Sequence, residues 1–401
     1  MLHCIDKRQG RSYTVKSGNR WAGFFLTLAM VTAVVPASGA SAEQPSKDRA
    51  GNSYVEGQIL VKVKPGKDAA VLSKKLGASE AKSLGGAEWK LVKVPMGKTE
   101  EYLAKFKGDS DVAAAELDYI YTALATTPND PLYSSQWHLP NIGADVMWDT
   151  NRGSASNVIA IIDTGVDLTH PDLVGKIVPG YNFVAMNTNA NDDQGHGTFM
   201  ATLAAANTNN AVLGAGVDWY AKIMPVKVLD ATGGGTTSTI ISGVQWAADN
   251  GAKVINMSIG GGSYSTAFQN VIDYAWSKGV VLTAAAGSSG STLAQYPAAY
   301  NNVVAVAATT SSDLKASFSS YGSWVDFAAP GSSIVSSKMG GGWTTMSGSS
   351  TSSAIVAGAV TLAWSKYPTY TNAGIISYLG SRATPIAGTG TYWNYGKINL
   401  R

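Results

Sequence analysis

From about residue 157 onward, short apolar runs recur at 158–162, 223–229, 254–259, 280–285 and 303–307. Between them, stretches at 240–249 and 267–278 place apolar residues at helical spacing. Runs that are apolar at nearly every position predict strands buried on both faces. Alternation of such strands with helices predicts a parallel sheet with helices on both faces, a three-layer α/β domain. A further apolar helical pattern covers 354–364. The chain before this region has a different rhythm. Residues 58–63 and 88–94 alternate apolar and polar side chains, as half-buried strands do. Helical patterns near 68–76 and 99–107, and a last strand at 117–121, complete a small α+β unit over residues 54–122. The turn-rich stretch Thr126-Thr-Pro-Asn-Asp-Pro131 separates the two regions.

The N-terminus belongs to neither. Lys7, Arg8, Arg11, Lys16 and Arg20 precede an apolar run over 21–35, which Pro36 breaks. Small residues at Ala40 and Ala42 follow. A basic region, a short apolar region and a small-residue site have the layout of a signal peptide. A membrane anchor is the alternative, but the run falls short of the ~20 apolar residues that a spanning helix needs. The expected organisation is a signal peptide over 1–42, an α+β propeptide over 43–125 and a catalytic domain over 126–401. A chain so processed is secreted and keeps no membrane segment.

Charge sharpens this division. The formal net charge is +3, yet residues 126–401 carry 12 Lys and Arg against 14 Asp and no Glu, a net of −2. That excludes a basic nucleic-acid-binding face as the purpose of the large domain. The single cysteine, Cys4, excludes an intrachain disulfide framework.

Three segments carry chemistry. Asp163 ends the apolar run of Ile161-Ile-Asp-Thr-Gly165, and His196 lies in Gly195-His-Gly-Thr198 before a helical pattern. Ser350 lies in Gly348-Ser-Ser-Thr-Ser352, ahead of another. A serine hydroxyl is a weak nucleophile until an imidazole takes its proton, and that imidazole needs an acceptor to fix its tautomer. Asp, His and Ser supply those three roles. Singly, an Asp at a strand end is an ordinary turn former and a Gly/Ser run an ordinary loop. The three together point to nucleophilic catalysis.

These segments resemble the active-site motifs of the subtilase family, the subtilisin-like serine proteases, in the chain order Asp, His, Ser. The resemblance runs from about residue 127 to 400. It includes Asp163-Thr-Gly-Val-Asp-Leu-Thr-His-Pro-Asp-Leu173 and Asn256-Met-Ser-Ile-Gly-Gly261. Thr127-Pro-Asn-Asp-Pro131 and Gly388-Thr-Gly-Thr-Tyr-Trp393 are similar to the thermitase-like branch of that family. Residues 54–122 resemble the family's inhibitory propeptide. The resemblance implies a subtilisin-like fold and a serine endopeptidase acting on polypeptides. It implies an extended substrate held between Gly233, Gly234 and Gly235 on one side and Ser258, Ile259 and Gly260 on the other, in β-augmentation. Ala285, Ala286 and Gly287 would also contact substrate. Besides substrate, the expected partner is the chain's own propeptide, and the mature enzyme is expected to be a monomer.

Two departures from the family pattern bear on activity. The serine motif of the family reads Gly-Thr-Ser-Met-Ala-x-Pro, whereas Thr351 and Ala354 stand here at the methionine and proline positions. The family's oxyanion-hole asparagine is replaced by Ser288, in Ala285-Ala-Gly-Ser288. A serine hydroxyl is shorter than a carboxamide, and loss of one such donor costs on the order of 10²–10³ in turnover. The Ser350 backbone N–H is the other expected donor. An active protease and a weakened homologue that binds without cutting therefore both remain open. An esterase is disfavoured, because no Gly-x-Ser-x-Gly is centred on Ser350.

Calcium is also implied by the resemblance. The strong site would use the carboxylates of Asp130 and Asp172, the side chain of Asn210, and carbonyls at or near Asn207, Val212 and Gly214, an all-oxygen set. A second site would fall at Asn182, Ala185 and Asn187, where carboxylates are missing. That site is expected to be weak or absent.

Overall fold

A computed structural model describes residues 45–48, 53–79, 81–84, 88–120 and 126–401. The expected signal peptide and the segment around the expected maturation site, 121–125, lie outside the described residues. The chain divides into two compact units, residues 1–122 and 123–401.

In the first unit, β1 (Pro45–Lys47), β2 (Ser53–Val63), β3 (Ala81–Ser83), β4 (Trp89–Lys93) and β5 (Val112–Tyr119) form an antiparallel sheet. The long strand β2 pairs with β1, β4 and β5. Helices α1 (Ala69–Lys75) and α2 (Thr99–Gly108) complete the unit. Alternation along β2 sends Ile59 and Val61 into a core shared with Leu72, Val92, Tyr102 and Phe106. Both helices expected from the sequence are present. The last strand begins earlier than expected, at Val112, because Ala113 and Ala114 hide its alternation.

The second unit is built on eight parallel strands. They are β6 (Val158–Asp163), β7 (Tyr181–Asn182), β8 (Lys222–Lys227), β9 (Val254–Met257), β10 (Val281–Ala285), β11 (Val303–Thr309), β12 (Phe327–Pro330) and β15 (Gly396–Lys397). Their order is β15-β12-β11-β10-β9-β6-β8-β7. A separate antiparallel hairpin joins β13 (Ile334–Ser337) to β14 (Trp343–Met346). The helices are the short α3 (His138–Asn141) and α4 (Ala144–Met147), then α5 (His196–Ala205), α6 (Thr237–Asp249), α7 (Thr266–Ser277), α8 (Ser349–Lys366) and α9 (Asn372–Arg382).

The two faces of the sheet separate by strand period. Ile159 and Ile161 pack with residues of α5, α8 and α9. Their neighbours Ala160 and Ile162 pack with residues of α6 and α7. Helices thus cover both faces, as expected. Helix α8 is buried on every side from Thr351 to Trp364, which suits its lack of a polar face. Gly358 lets it lie close to α5, since a Cβ there would stand 2.5 Å from the Ala204 carbonyl oxygen.

The sheet order places the site. From β6 the chain moves outward to β7 and β8, then returns to the other edge of β6 with β9. Ligands of such sheets bind beyond the carboxyl ends of the strands where the order reverses. Asp163 is the last residue of β6.

Candidate active site

Asp163 is fully buried and its neighbours fix it. The Thr164 N–H donates to Asp163 Oδ1 at 2.8 Å. His196 opens α5, and its Nδ1 lies 2.8 and 2.9 Å from the two carboxylate oxygens of Asp163. That contact makes Nδ1 the protonated nitrogen and leaves Nε2 as the base. Burial alone would depress the imidazole pKa, but the Asp163 carboxylate, with a push from Asp192, holds it above its ordinary value. Gly197 permits the approach of α5 to the strand end: a Cβ there would stand 2.1 Å from the Gly165 carbonyl oxygen.

The loop before His196 hangs on a residue that the motif reading passed over. Asp192 is buried and accepts from Thr164 Oγ1 at 2.8 Å, the Gly195 N–H at 2.9 Å and Thr198 Oγ1 at 2.6 Å. Burial pushes its pKa up, and bonds from Thr198, Gly195 and Gln194 more than offset that, holding it below the usual carboxylate range. Thr164 in turn accepts from the Gly197 N–H at 3.0 Å. One threonine side chain thereby joins the Asp163 turn to the His196 helix. An Asp four residues before the histidine was the available signal.

Ser350 stands in the first turn of α8. Its hydroxyl donates to the Ser258 carbonyl at 3.0 Å, while Ser258 Oγ donates to the Ser350 carbonyl at 2.8 Å. Among the described residues no hydrogen bond joins Ser350 to His196. Ser258 and His196 nevertheless line the same cleft, of about 570 Å³. Gly233, Gly234, Gly235, Ser258, Ile259 and Gly260 all line it. Ala285 and Ala286 are buried and, with Gly287, are not among its lining residues.

The 285–288 segment instead meets the start of α8. The Gly287 N–H donates to Ser349 Oγ at 2.9 Å, and the Ser349 N–H donates to Ser288 Oγ at 3.3 Å. Gly348, at the helix cap, offers no side chain, so Ser288 supplies the acceptor from another loop.

A second cluster surrounds the expected metal ligands. Asp130 accepts from the Asn209 N–H at 2.7 Å and the Asn210 N–H at 3.1 Å. Asp172 accepts from Asn210 Nδ2 at 3.0 Å, the Gly214 N–H at 3.2 Å and Ser337 Oγ at 3.2 Å. Both carboxylates are buried, and burial, with the Asp130 charge adding to it, pushes the Asp172 pKa up to about 6. Among the described residues no donor is directed at the carbonyls of Asn207, Val212 or Gly214. Two buried carboxylates and three undonated carbonyls form a donor set that fits calcium, while Asn210 Oδ1 already accepts from the Val212 N–H at 2.9 Å. At the second position, Asn182 Oδ1 is taken by the Val184 and Ala185 N–H groups, and Asn187 Oδ1 by the Asn189 N–H.

A wholly parallel sheet with a buried Asp paired to a half-buried His and a helix-borne serine at its carboxyl edge is the architecture of a three-layer serine-peptidase domain. Comparison with known proteins agrees. Residues 154–396 match the subtilase family, and residues 40–118 match the fervidolysin N-terminal prodomain. A thermophilic serine proteinase of Bacillus sp. strain AK1 is 41% identical over 351 residues, 86% of this chain and 87% of that one. Thermitase of Thermoactinomyces vulgaris is 45% identical over 68% of this chain and 97% of its own. Among solved structures, a protease from Pseudoalteromonas arctica PAMC 21717 matches with a TM-score of 0.64 at 32% identity, covering 69% of this chain and 98% of that one. The chain belongs to the subtilase family. It is a serine endopeptidase with an N-terminal prodomain, and its family is generally calcium-binding.

Proposed function

We propose that this protein is a secreted, monomeric endopeptidase that matures by cutting off its own propeptide and hydrolyses peptide bonds through an acyl-enzyme. The signal peptide would occupy 1–42, the propeptide 43–125 and the mature enzyme 126–401. Among the described residues no helix is long and apolar enough to cross a membrane. The observation that carries the catalytic reading is the Asp163–His196 pair, with Asp163 fully buried and the two side chains 2.8 Å apart at the carboxyl end of β6.

In this mechanism Ser350 Oγ attacks the scissile carbonyl while His196 Nε2 takes its proton. Asp163 holds the imidazole in the right tautomer and stabilises the imidazolium. His196 then returns the proton to the leaving amine, and water releases the acyl group by the reverse sequence. The tetrahedral oxyanion would lie near the Ser350 N–H and the Ser288 hydroxyl. Ser288 Oγ accepts from the Ser349 N–H and lies 3.5 Å from Ser349 Oγ, so its proton would have to turn from that neighbour to the oxyanion. Substrate binding would also prepare the nucleophile. An extended peptide whose N–H donates to the Ser258 carbonyl competes with Ser350 for that acceptor. The displaced hydroxyl can then turn to His196.

Calcium would be held by Asp130, Asp172, Asn210 and the carbonyls of Asn207, Val212 and Gly214. There it would neutralise two buried carboxylates and brace the 207–214 loop. The test of the catalytic reading is hydrolysis of a generic peptide by wild type and Ser350→Ala. Wild type should turn over and the variant should not. Equal rates would remove Ser350 from the mechanism.

A further inference from the structure

Lys227 ends β8, directly across the sheet from Asp163 in the β6–β8 register. Its side chain is 4% exposed. An ammonium so buried is costly unless each of its three protons is matched. All three are. Lys227 Nζ donates to the Thr164 carbonyl at 2.8 Å, the Leu229 carbonyl at 2.8 Å and Asp193 Oδ1 at 2.7 Å.

Those three acceptors belong to three separate parts of the site. Thr164 follows Asp163 and holds its carboxylate through the backbone N–H. Leu229 lines the cleft and begins the segment that leads to Gly233, Gly234 and Gly235. Asp193 lies three residues before His196, in the loop that delivers the base. We infer that Lys227 is a positioning residue of the peptidase: one ammonium sets the Asp163 turn, the His196 loop and one wall of the substrate cleft in mutual register. This rests on the serine-peptidase mechanism above. Nucleophilic catalysis is sensitive to displacements of about 1 Å, which can cost ~10²-fold. The clamp acts through its neighbours and touches no reacting atom.

The partner on the loop separates positioning from bulk stability. Asp193 is 49% exposed, so Asp193→Asn should leave the fold intact. It weakens only the strut to the His196 loop and keeps the bond from Lys227 to Leu229. Lys227→Met removes all three struts, and Lys227→Arg keeps the charge while changing the shape of the donor.

The experiment is steady-state hydrolysis of a peptide series by enzyme expressed as the full chain and then freed of its propeptide, at a temperature well below every variant's unfolding, with melting measured alongside. Asp193→Asn should lower kcat about 3- to 10-fold with KM unchanged. Lys227→Met should lower kcat about 10- to 100-fold and raise KM as well, because the wall at Leu229 is released. Lys227→Arg should not restore the wild-type values. A folded Lys227→Met with normal kcat and KM and only a lower melting temperature would overturn the inference. So would an Asp193→Asn that is kinetically normal. If Lys227→Met does not fold, the Asp193→Asn result decides alone. Wild type and Ser350→Ala belong in the same series. Wild type no faster than Ser350→Ala overturns the peptidase mechanism itself. Active wild type with unaffected variants overturns only the clamp.

Discussion

Ser288 has a structural role besides the oxyanion role proposed for it. By sequence it is a short substitute for an oxyanion-hole carboxamide. In the fold its oxygen also caps the Ser349 N–H of α8. Ser288→Ala should therefore lower stability by about 1 kcal/mol, the usual worth of a cap, and lower turnover as well. Ser288→Asn should raise kcat with little change in KM, because the gain is confined to the transition state. Steady-state kinetics of the three proteins check this, and a lower or unchanged kcat for the Asn variant would mean that the loop builds its oxyanion site in another way. His138 makes a separate residue-level case. It is fully buried, and among the described residues neither ring nitrogen has a hydrogen-bond partner. Burial pushes its pKa down to about 3. The unfolded chain takes up a proton near pH 6.5 and the folded chain does not. Stability from this group is therefore complete above the unfolded pKa and is lost as pH falls from about 6.5 towards 3. Asp172, Asp218 and Asp326, each raised to about 6, act with the opposite sign. The difference between wild type and His138→Leu isolates the histidine. The variant's melting temperature should gain most on wild type at pH 4.5 and least at pH 7.5. A gain that does not change with pH would show that His138 does not titrate as described.

Element boundaries reveal what apolar patterning can and cannot convey. The sequence places an apolar helical pattern at 354–364, yet α8 starts at Ser349. Its first turns carry Ser and Thr, which give no apolar period, and one local and several tertiary bonds hold them. Thr351 Oγ1 donates to the Gly348 carbonyl, Ser352 Oγ to the Ala329 and Pro330 carbonyls, and Ser353 Oγ to Asn256 Oδ1. Strands β6, β8, β9, β10 and β11 were legible because burial on both faces demands unbroken apolar runs. Strands β7 and β15 have two residues each, and β12 has four ending in proline, too few for any period to register. The Asp163 and His196 segments were legible as motifs. Asp192 and Lys227 were not, since their roles arise only when the β6–β8 register and the α5 approach bring distant segments together. The 207–214 loop tests a different kind of legibility. Its ligands were inferred from resemblance, and their geometry suits an ion that binds only the folded chain. Such an ion stabilises by mass action, by about 2.7 kcal/mol at a hundredfold excess over Kd. For a domain of this size that is roughly 5–10 °C in Tm. Chelation should lower Tm by that order, and Asp172→Ala should remove most of the sensitivity. A melting curve indifferent to chelator would exclude the site.

At the scale of the whole molecule, the chain joins a small antiparallel unit to a large parallel one. The prodomain match and the peptidase match fall on separate stretches, 40–118 and 154–396. The linking sequence runs into the turn-rich stretch Thr126, Thr127 and Pro128, where Thr126 is already tied to Asp145 and Asp149. If the Asp163, His196 and Ser350 machinery is competent, the nearest peptide available to it is the one on its own chain. Expression of the full chain should then yield a mature product whose N-terminus falls between about residues 122 and 127, read by N-terminal sequencing. Ser350→Ala should remain joined to its propeptide, because the hydroxyl that forms the acyl-enzyme is gone while the fold is kept. Adding a trace of mature wild type to purified Ser350→Ala distinguishes an uncuttable junction from an inactive enzyme. Cleavage at the same site shows that the junction is accessible and that only the nucleophile was missing. Equal processing of both chains when each is expressed alone would assign the cut to a host protease, and self-maturation would have to be abandoned.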